Sequence, residues 1–262
     1  MTYPARVFFV GGLLSYRALF NWLTPWILVP TFLVAPIFQI LLFVYIGRSA
    51  GLESDKFYVV GNAIQYAAIP CLFAMTQMIG GERYQNTLSA ILVSPARRIP
   101  LFFGRAVPVV LNGAFVSAFS LAAGALILGV DIPRSAVPGL AFVIVVAAFS
   151  CTGLGLINAA LSLRIRENAV LSNVIFGFLL IFTGANVPLD ELPGWMSTAA
   201  QALPFTHAIE AARELADGAP ITSVADLIGA ELVIGLMYAF VGYGLLRFME
   251  VQSRTHATLE RS

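Results

Sequence analysis

The chain reads as an all-α integral membrane protein, and three features of its sequence lead there. Of its 262 residues, 59% are hydrophobic and only 11% are charged, whereas a soluble domain carries roughly a quarter charged residues. The apolar residues fall in long blocks, each near the ~20 residues a helix needs to cross hydrocarbon. The joints between blocks are short, with one exception, so no large domain fits outside the membrane.

Six blocks qualify as spans, at about 25–46, 58–79, 104–129, 137–162, 169–187 and 224–247. Residues 4–22 are aromatic and apolar but interrupted by Arg6, Ser15, Arg17 and Asn21. That pattern predicts an amphipathic helix lying in the interface. It leads into the first span at Thr24-Pro25, where proline suits a first helical turn. The expected organisation is a single transmembrane domain over 1–262. It comprises an interfacial helix (1–23), a six-span core (24–250) and a tail (251–262).

Charge sets the orientation. Six spans place both termini on one side. With the termini inside, the inner segments hold Arg6, Arg17, Arg83, Arg97, Arg98, Arg105, Arg164, Arg166, Arg247, Arg254 and Arg261. The outer segments hold Arg48, Lys56, Arg134 and Arg213. Basic residues concentrate on the cytoplasmic side of membrane proteins, so both termini and the polar island at 82–95 are expected in the cytoplasm.

Composition also excludes functions. A formal net charge of +1 suggests no nucleic-acid partner. Cys71 and Cys151 sit in apolar runs, where a thiol behaves as a small hydrophobe, so neither a disulfide nor a metal site is expected. No cleavable signal peptide is evident. The single lysine, Lys56, lies between Asp55 and Phe57. A P-loop ends in Gly-Lys-Ser/Thr, so any ATP hydrolysis must come from another polypeptide. No catalytic residues and no directly bound cofactor are expected.

The most informative stretch is Gly81-Glu82-Arg83-Tyr84-Gln85-Asn86-Thr87-Leu88-Ser89-Ala90-Ile91-Leu92-Val93-Ser94-Pro95-Ala96-Arg97-Arg98. Tyr84, Leu88, Ile91 and Leu92 form one helical stripe, with Glu82, Arg83, Asn86 and Ser89 away from it. Pro95 ends the helix, because a residue preceding proline leaves the helical region. A short amphipathic helix with a basic exit can lie flat on the membrane and touch a partner; an interfacial anchor without a partner shares the pattern.

The spacing of Glu82, Thr87-Leu88, Ile91-Leu92 and Ser94-Pro95 resembles the coupling segment of type-2 ABC-transporter permeases, the membrane subunits of bacterial exporters of drugs, lipids and surface polysaccharides. The resemblance covers nearly the whole chain. It implies that Glu82, Arg83, Thr87, Leu88, Ile91, Ser94 and Pro95 dock on a separate ATPase subunit carrying ATP and magnesium. It also implies a dimer with a second copy or a paralogue in the bacterial plasma membrane. Among branches, the chain looks most like the daunorubicin-exporter type, with lipo-oligosaccharide and polysaccharide exporters close behind.

The one long joint, 188–223, contains Pro188, the Pro193-Gly194 turn, Trp195 as an interface anchor, and Leu203-Pro204-Phe205-Thr206-His207. Its pieces are too short to span, which predicts a re-entrant helical hairpin on the outside. The permease family carries a similar proline-bounded hairpin, which marks Asn186, Pro188, Pro193, Pro204 and His207 as an external gate. Two departures stand out: Thr183-Gly184 where the family often has serine-glycine, and Leu203 where it often has asparagine.

Glu231 is an acidic residue well inside a predicted span. Intramembrane carboxylates are costly and often functional, so it is a proton-coupling group, a bond to the external hairpin or a side chain reaching the outer headgroups. Gln39, Asn62, Gln65, Thr76, Asn158 and Asn186 are among the polar residues expected to bond across helices or to line a path. Rival functions are a proton-coupled secondary transporter, which rests on Glu231 alone, and a membrane enzyme, which lacks a cluster of His, Asp or Arg.

Overall fold

A computed structural model describes the backbone of residues 25–84, 98–162 and 168–256, which form helices joined by turns and short irregular segments, with no strand among them. The expected interfacial helix at 1–23 and most of the 82–95 segment lie outside the described residues. The elements are α1 (Pro25–Leu28), a π-helical stretch (Val29–Val34), α2 (Ala35–Ala50), α3 (Asp55–Gln65), α4 (Ala68–Tyr84) and α5 (Arg98–Leu128). A 3-10 turn (Arg134–Ala136), α6 (Val137–Ser162), α7 (Asn168–Phe182), α8 (Gly194–Ala200), α9 (Thr206–Ala216) and α10 (Ala225–His256) follow.

Among the described residues, five helices are long and apolar enough to cross a membrane: Trp26–Ala50, Asp55–Gln77, Phe103–Leu128, Arg134–Ser162 and Ala225–Met249. The block expected to be the fifth span is shorter, an apolar helix over Ala169–Phe182. It stops at Phe182 because Gly184, at φ 76°, leaves the helix and Pro188 follows. Two helices are interrupted. Pro36 has no N–H for the i−4 carbonyl, and just before it the backbone widens so that Ala35 N–H donates to Pro30 O, five residues back. Pro70 likewise denies its N–H to Tyr66 O, which takes Ile69 N–H instead at 3.2 Å. The second span therefore breaks between α3 and α4.

Helix α6 is the centre of the bundle, packed by α4, α5, α9 and α10. Small residues let it do so. A Cβ on Gly153 would lie 2.8 Å from Gly235 O, one on Gly235 2.8 Å from Ser150 Cα, and one on Gly242 2.7 Å from Leu156 Cβ. Close backbone approach through small residues is the main source of helix association in lipid. Gly235→Leu must separate α6 from α10, at a cost of about 1–3 kcal/mol or more for overpacking. A fall in thermal stability of the detergent-purified protein checks this, with Gly244→Leu, whose Cβ would meet open space, as the neutral control.

Candidate functional site

At one end of the bundle four pieces of chain converge: the start of α3, segment 183–187, the α8–α9 hairpin and the first turns of α10. The hairpin's geometry starts from a local deficit. Helix α9 begins after Phe205, which offers no side-chain oxygen to its first amides, and unsatisfied amides at a helix start need a partner. Glu231 supplies it from α10. Its Oε1 accepts from Phe205 N–H at 2.8 Å and its Oε2 from Ala208 N–H at 3.3 Å. The residue is fully buried, and the positive end of the helix dipole favours an anion there. Phe205 itself sits at φ 79°, the one non-glycine positive φ among the described residues. That conformation costs energy for an aromatic side chain. Complete burial of its ring and the bond to Glu231 offset the cost.

The rest of the hairpin is closed by bonds to the carbonyls of its tip. Thr206 Oγ1 donates to Ala200 O at 2.7 Å, and Tyr238 OH donates to Ala202 O at 3.1 Å. His207 Nε2 lies 3.2 Å from Gln201 O. These place His207 in a capping position, so His207→Ala should lower the melting temperature modestly, by the ~1 kcal/mol of one hydrogen bond. Pro193 starts α8, its carbonyl accepting from Met196 N–H at 2.7 Å, and Pro188 O accepts from Glu191 N–H at 3.2 Å in the turn before it. Pro204 directly precedes the left-handed Phe205.

Arg213 locks α9 to the neighbouring elements. Its Nη2 donates to Phe57 O at 3.2 Å, Gly184 O at 2.9 Å and Ala185 O at 3.2 Å, and its guanidinium lies 3.4 Å from the centre of the Phe57 ring. Burial lowers its pKa to about 10, with the nearby Glu53 and Glu210 opposing that fall, so it stays cationic at neutral pH. Gly61 is required here: a Cβ would lie 2.6 Å from Ala185 O and 2.7 Å from Arg213 Nη2. Lys56 bonds Asp217 Oδ1 at 3.0 Å and Ala216 O at 3.3 Å, closing the end of α9 onto α3.

Sequence reading did not single out Arg213. The available signal was its place four residues after Ile209 and three before Ala216, which puts a cation on the buried face of a helix otherwise lined with alanine, isoleucine and leucine.

Asn186 is brought into contact with the second span: Asn62 Nδ2 donates to Asn186 Oδ1 at 2.8 Å, and Asn186 Nδ2 to Leu180 O at 3.1 Å. Farther along the bundle, Asn158 Nδ2 bonds Thr76 Oγ1 at 2.8 Å and Ser172 Oγ at 2.7 Å, tying α6 to α4 and α7. Of the coupling residues, Glu82 and Arg83 fall in the last turn of α4. Thr87, Leu88, Ile91, Ser94 and Pro95 lie outside the described residues. Among the described residues no group of three or more His, Cys, Asp or Glu could hold a metal ion.

The model of the ABC-2 type transporter family aligns with residues 12–216. The chain belongs to the ABC-2 type transporter family. It is similar to Nodulation protein J of Rhizobium leguminosarum bv. trifolii, 27% identical over 215 residues that make up 78% of each protein. It is also similar to the probable multidrug ABC transporter permease YbhR of Escherichia coli K12, 26% identical over 163 residues, 61% of this chain and 44% of YbhR. The match thus spans less than half of the multidrug permease. The protein is a multi-pass ABC exporter membrane subunit, as the coupling and hairpin motifs implied.

Proposed function

We propose that this permease moves an amphiphile out across the bacterial plasma membrane, driven by a separate ABC ATPase that docks on residues 82–95. ATP binding would close the ATPases and shift 82–95 at the foot of the second span, opening a path toward the outside near 183–207. Six spans do not enclose a full pathway in this type of exporter, so the working unit is a dimer, with a second copy or a paralogue. The observation that carries the reading is the anchored hairpin. Glu231, Arg213 and Asn62 join α8–α9 and segment 183–187 to the spans, so a shift of the helices reaches this end of the bundle as one body. The occupied Glu231 oxygens favour a strut over a proton carrier, and that supports an ATP-driven exporter over a proton-coupled one.

Two experiments test this. The purified subunit alone should hydrolyse no ATP, and hydrolysis should appear only with the ATPase encoded for it. In intact cells, an impermeant thiol reagent should label Asp131→Cys and Asp190→Cys but spare Arg97→Cys and Arg254→Cys. Labelling of Arg97→Cys would place 82–95 outside and remove the docking surface from the cytoplasm.

A further inference from the structure

The first and second spans are each interrupted, and one hydrogen bond joins the two interruptions. In a regular α-helix Thr31 O would accept from Ala35 N–H, four residues on. In the π-helical stretch Ala35 N–H goes to Pro30 O instead. The residue five on, the donor in a π turn, is Pro36, which has no N–H to give. Neither helical donor is left to Thr31 O. Tyr66 OH takes their place and donates to it at 3.1 Å. A carbonyl at membrane depth without a donor is costly, so this bond holds the wide turn in place.

Tyr66 sits at the joint of the second span. Its N–H bonds Asn62 O at the end of α3, and its carbonyl accepts from Ile69 N–H at the start of α4. A tilt of α4 about this joint strains the reach from Tyr66 OH to Thr31 O. Helix α4 runs on to the turn that holds Glu82 and Arg83.

The two halves of the first span are held differently. Helix α2 belongs to the main core through Ile40 and Val44. Gln39 Nε2 also ties it to α3, donating to Asn62 Oδ1 at 3.0 Å and to Gln65 Oε1 at 3.1 Å. Before Ala35 the contact is a small separate cluster of Phe32, Tyr66 and Val116, beside Ile69 and Ala74 of α4. That half is free to turn while α2 stays seated.

Turning has a defined second position. When Tyr66 OH lets go, Ala35 N–H can return to Thr31 O and the wide stretch tightens to an α-helix. Taking one residue out of the wide turn rotates the chain before it by about 100° against α2. Each place on that half is then filled by the next residue. Wide turns of this kind recur at functional sites in helices.

We propose that Tyr66 is a positioning residue for the transport stroke, the catch of a two-position latch between the second span and the first. Seated on Thr31 O, it holds the wide register and keeps Phe32 in the seam between the first three spans. Released by a shift of α4, it lets the half-span turn into the tight register, and Phe32 leaves the seam. The proposal deepens the exporter reading and rests on it for the force that moves α4.

The test uses the full-length permease with its ATPase in phosphatidylcholine nanodiscs. A nitroxide is placed on one introduced cysteine at a time from position 26 to 34, with the fully buried Cys71 and Cys151 left as they are. Collision with oxygen reports exposure to lipid. Without nucleotide the protected positions should be Leu28 and Phe32, each less exposed than its neighbours. With a non-hydrolysable ATP analogue, protection should move by one residue, to Val29 and Leu33. Tyr66→Phe keeps the ring in its cluster and removes the donor. It should favour the tight register by roughly tenfold, the worth of one buried hydrogen bond, so protection should move toward Val29 and Leu33 without nucleotide. Deletion of the exposed Val34 removes the extra residue itself. Pro36 then stands four residues after Thr31, so no helical donor competes with Tyr66 OH. That variant should melt near the parent, protect Leu28 and Phe32 with and without the analogue, and export nothing.

An ATPase-bound parent that protects Leu28 and Phe32 in both conditions overturns the latch. So does a Tyr66→Phe permease with the parent's pattern, or a Val34-deleted one that exports like the parent. Where the deletion does not fold, the first two comparisons decide. Where no ATPase associates, the exporter reading fails by itself, and the Tyr66→Phe comparison, made on the permease alone, still decides the latch.

Discussion

Glu231→Leu should leave little folded permease in the membrane. Leucine fills the space but strands the amides of Phe205 and Ala208, at about 1–3 kcal/mol each for buried unpaired donors. The sum, about 2–6 kcal/mol, is a large part of the 5–15 kcal/mol that holds a typical domain together. Phe205 would also lose the bond that holds its left-handed backbone. Glu231→Gln keeps one acceptor oxygen and should fall between parent and leucine variant, losing stability and transport together. Size-exclusion profiles and melting curves in mild detergent, beside transport in vesicles, check both. A glutamine variant with parental stability and abolished transport would return Glu231 to proton coupling, and a stable, active leucine variant would remove it from both roles.

The architecture was legible where hydropathy alone decides it. The block read at 137–162 is α6, residue for residue: its one proline, Pro138, lies in the first turn, where a missing N–H is tolerated, and the apolar run after it has one outcome in lipid. The second span was read as one helix from 58 to 79 but is two. Averaged hydropathy does not register that Pro70 denies a donor to Tyr66 O, which takes Ile69 N–H in a turn while Ala67 N–H bonds Ile64 O. The fifth block was read through 187, but Gly184 and Pro188 end it early.

The site was legible as residues and not as partners. Glu231 stood out by the cost of a carboxylate in hydrocarbon. Its partners are backbone amides 23 and 26 residues away, and a backbone amide carries no signature in sequence. Arg213 was counted only as an outside charge. Its role depends on the carbonyls of Gly184 and Ala185 being freed where α7 ends, which only the folded chain shows. Gln39, Asn62, Gln65 and Asn186 were visible as polar residues in spans. Their linkage needed the register of three separate segments.

Leu88→Asp should abolish export. Leu88 falls on the apolar stripe the sequence predicts with Tyr84, Ile91 and Leu92, which on the proposed docking would face the bilayer or the ATPase. A carboxylate there must be desolvated or expelled, at several kcal/mol in either setting. Detachment of the segment leaves the ATPase without a lever on the second span. Glu82→Ala and Pro95→Ala should be milder, leaving complex or hydrolysis partly intact while transport fails. Glu82 falls in the last turn of α4; on the proposed docking it pairs with a basic group on the ATPase, and Pro95 is the expected stop of the segment that transmits the push.

The most direct measurement of the central claim puts permease and ATPase in the same vesicles and reads two quantities together: recovery of the ATPase with tagged permease, and ATP-dependent efflux of an amphiphile. With the parent both should be present. With Leu88→Asp at equal permease levels, efflux should vanish and ATPase recovery should fall sharply. A Leu88→Asp permease that recovers the ATPase and exports as well as the parent would contradict the account, because 82–95 would then not be where ATP hydrolysis meets the membrane.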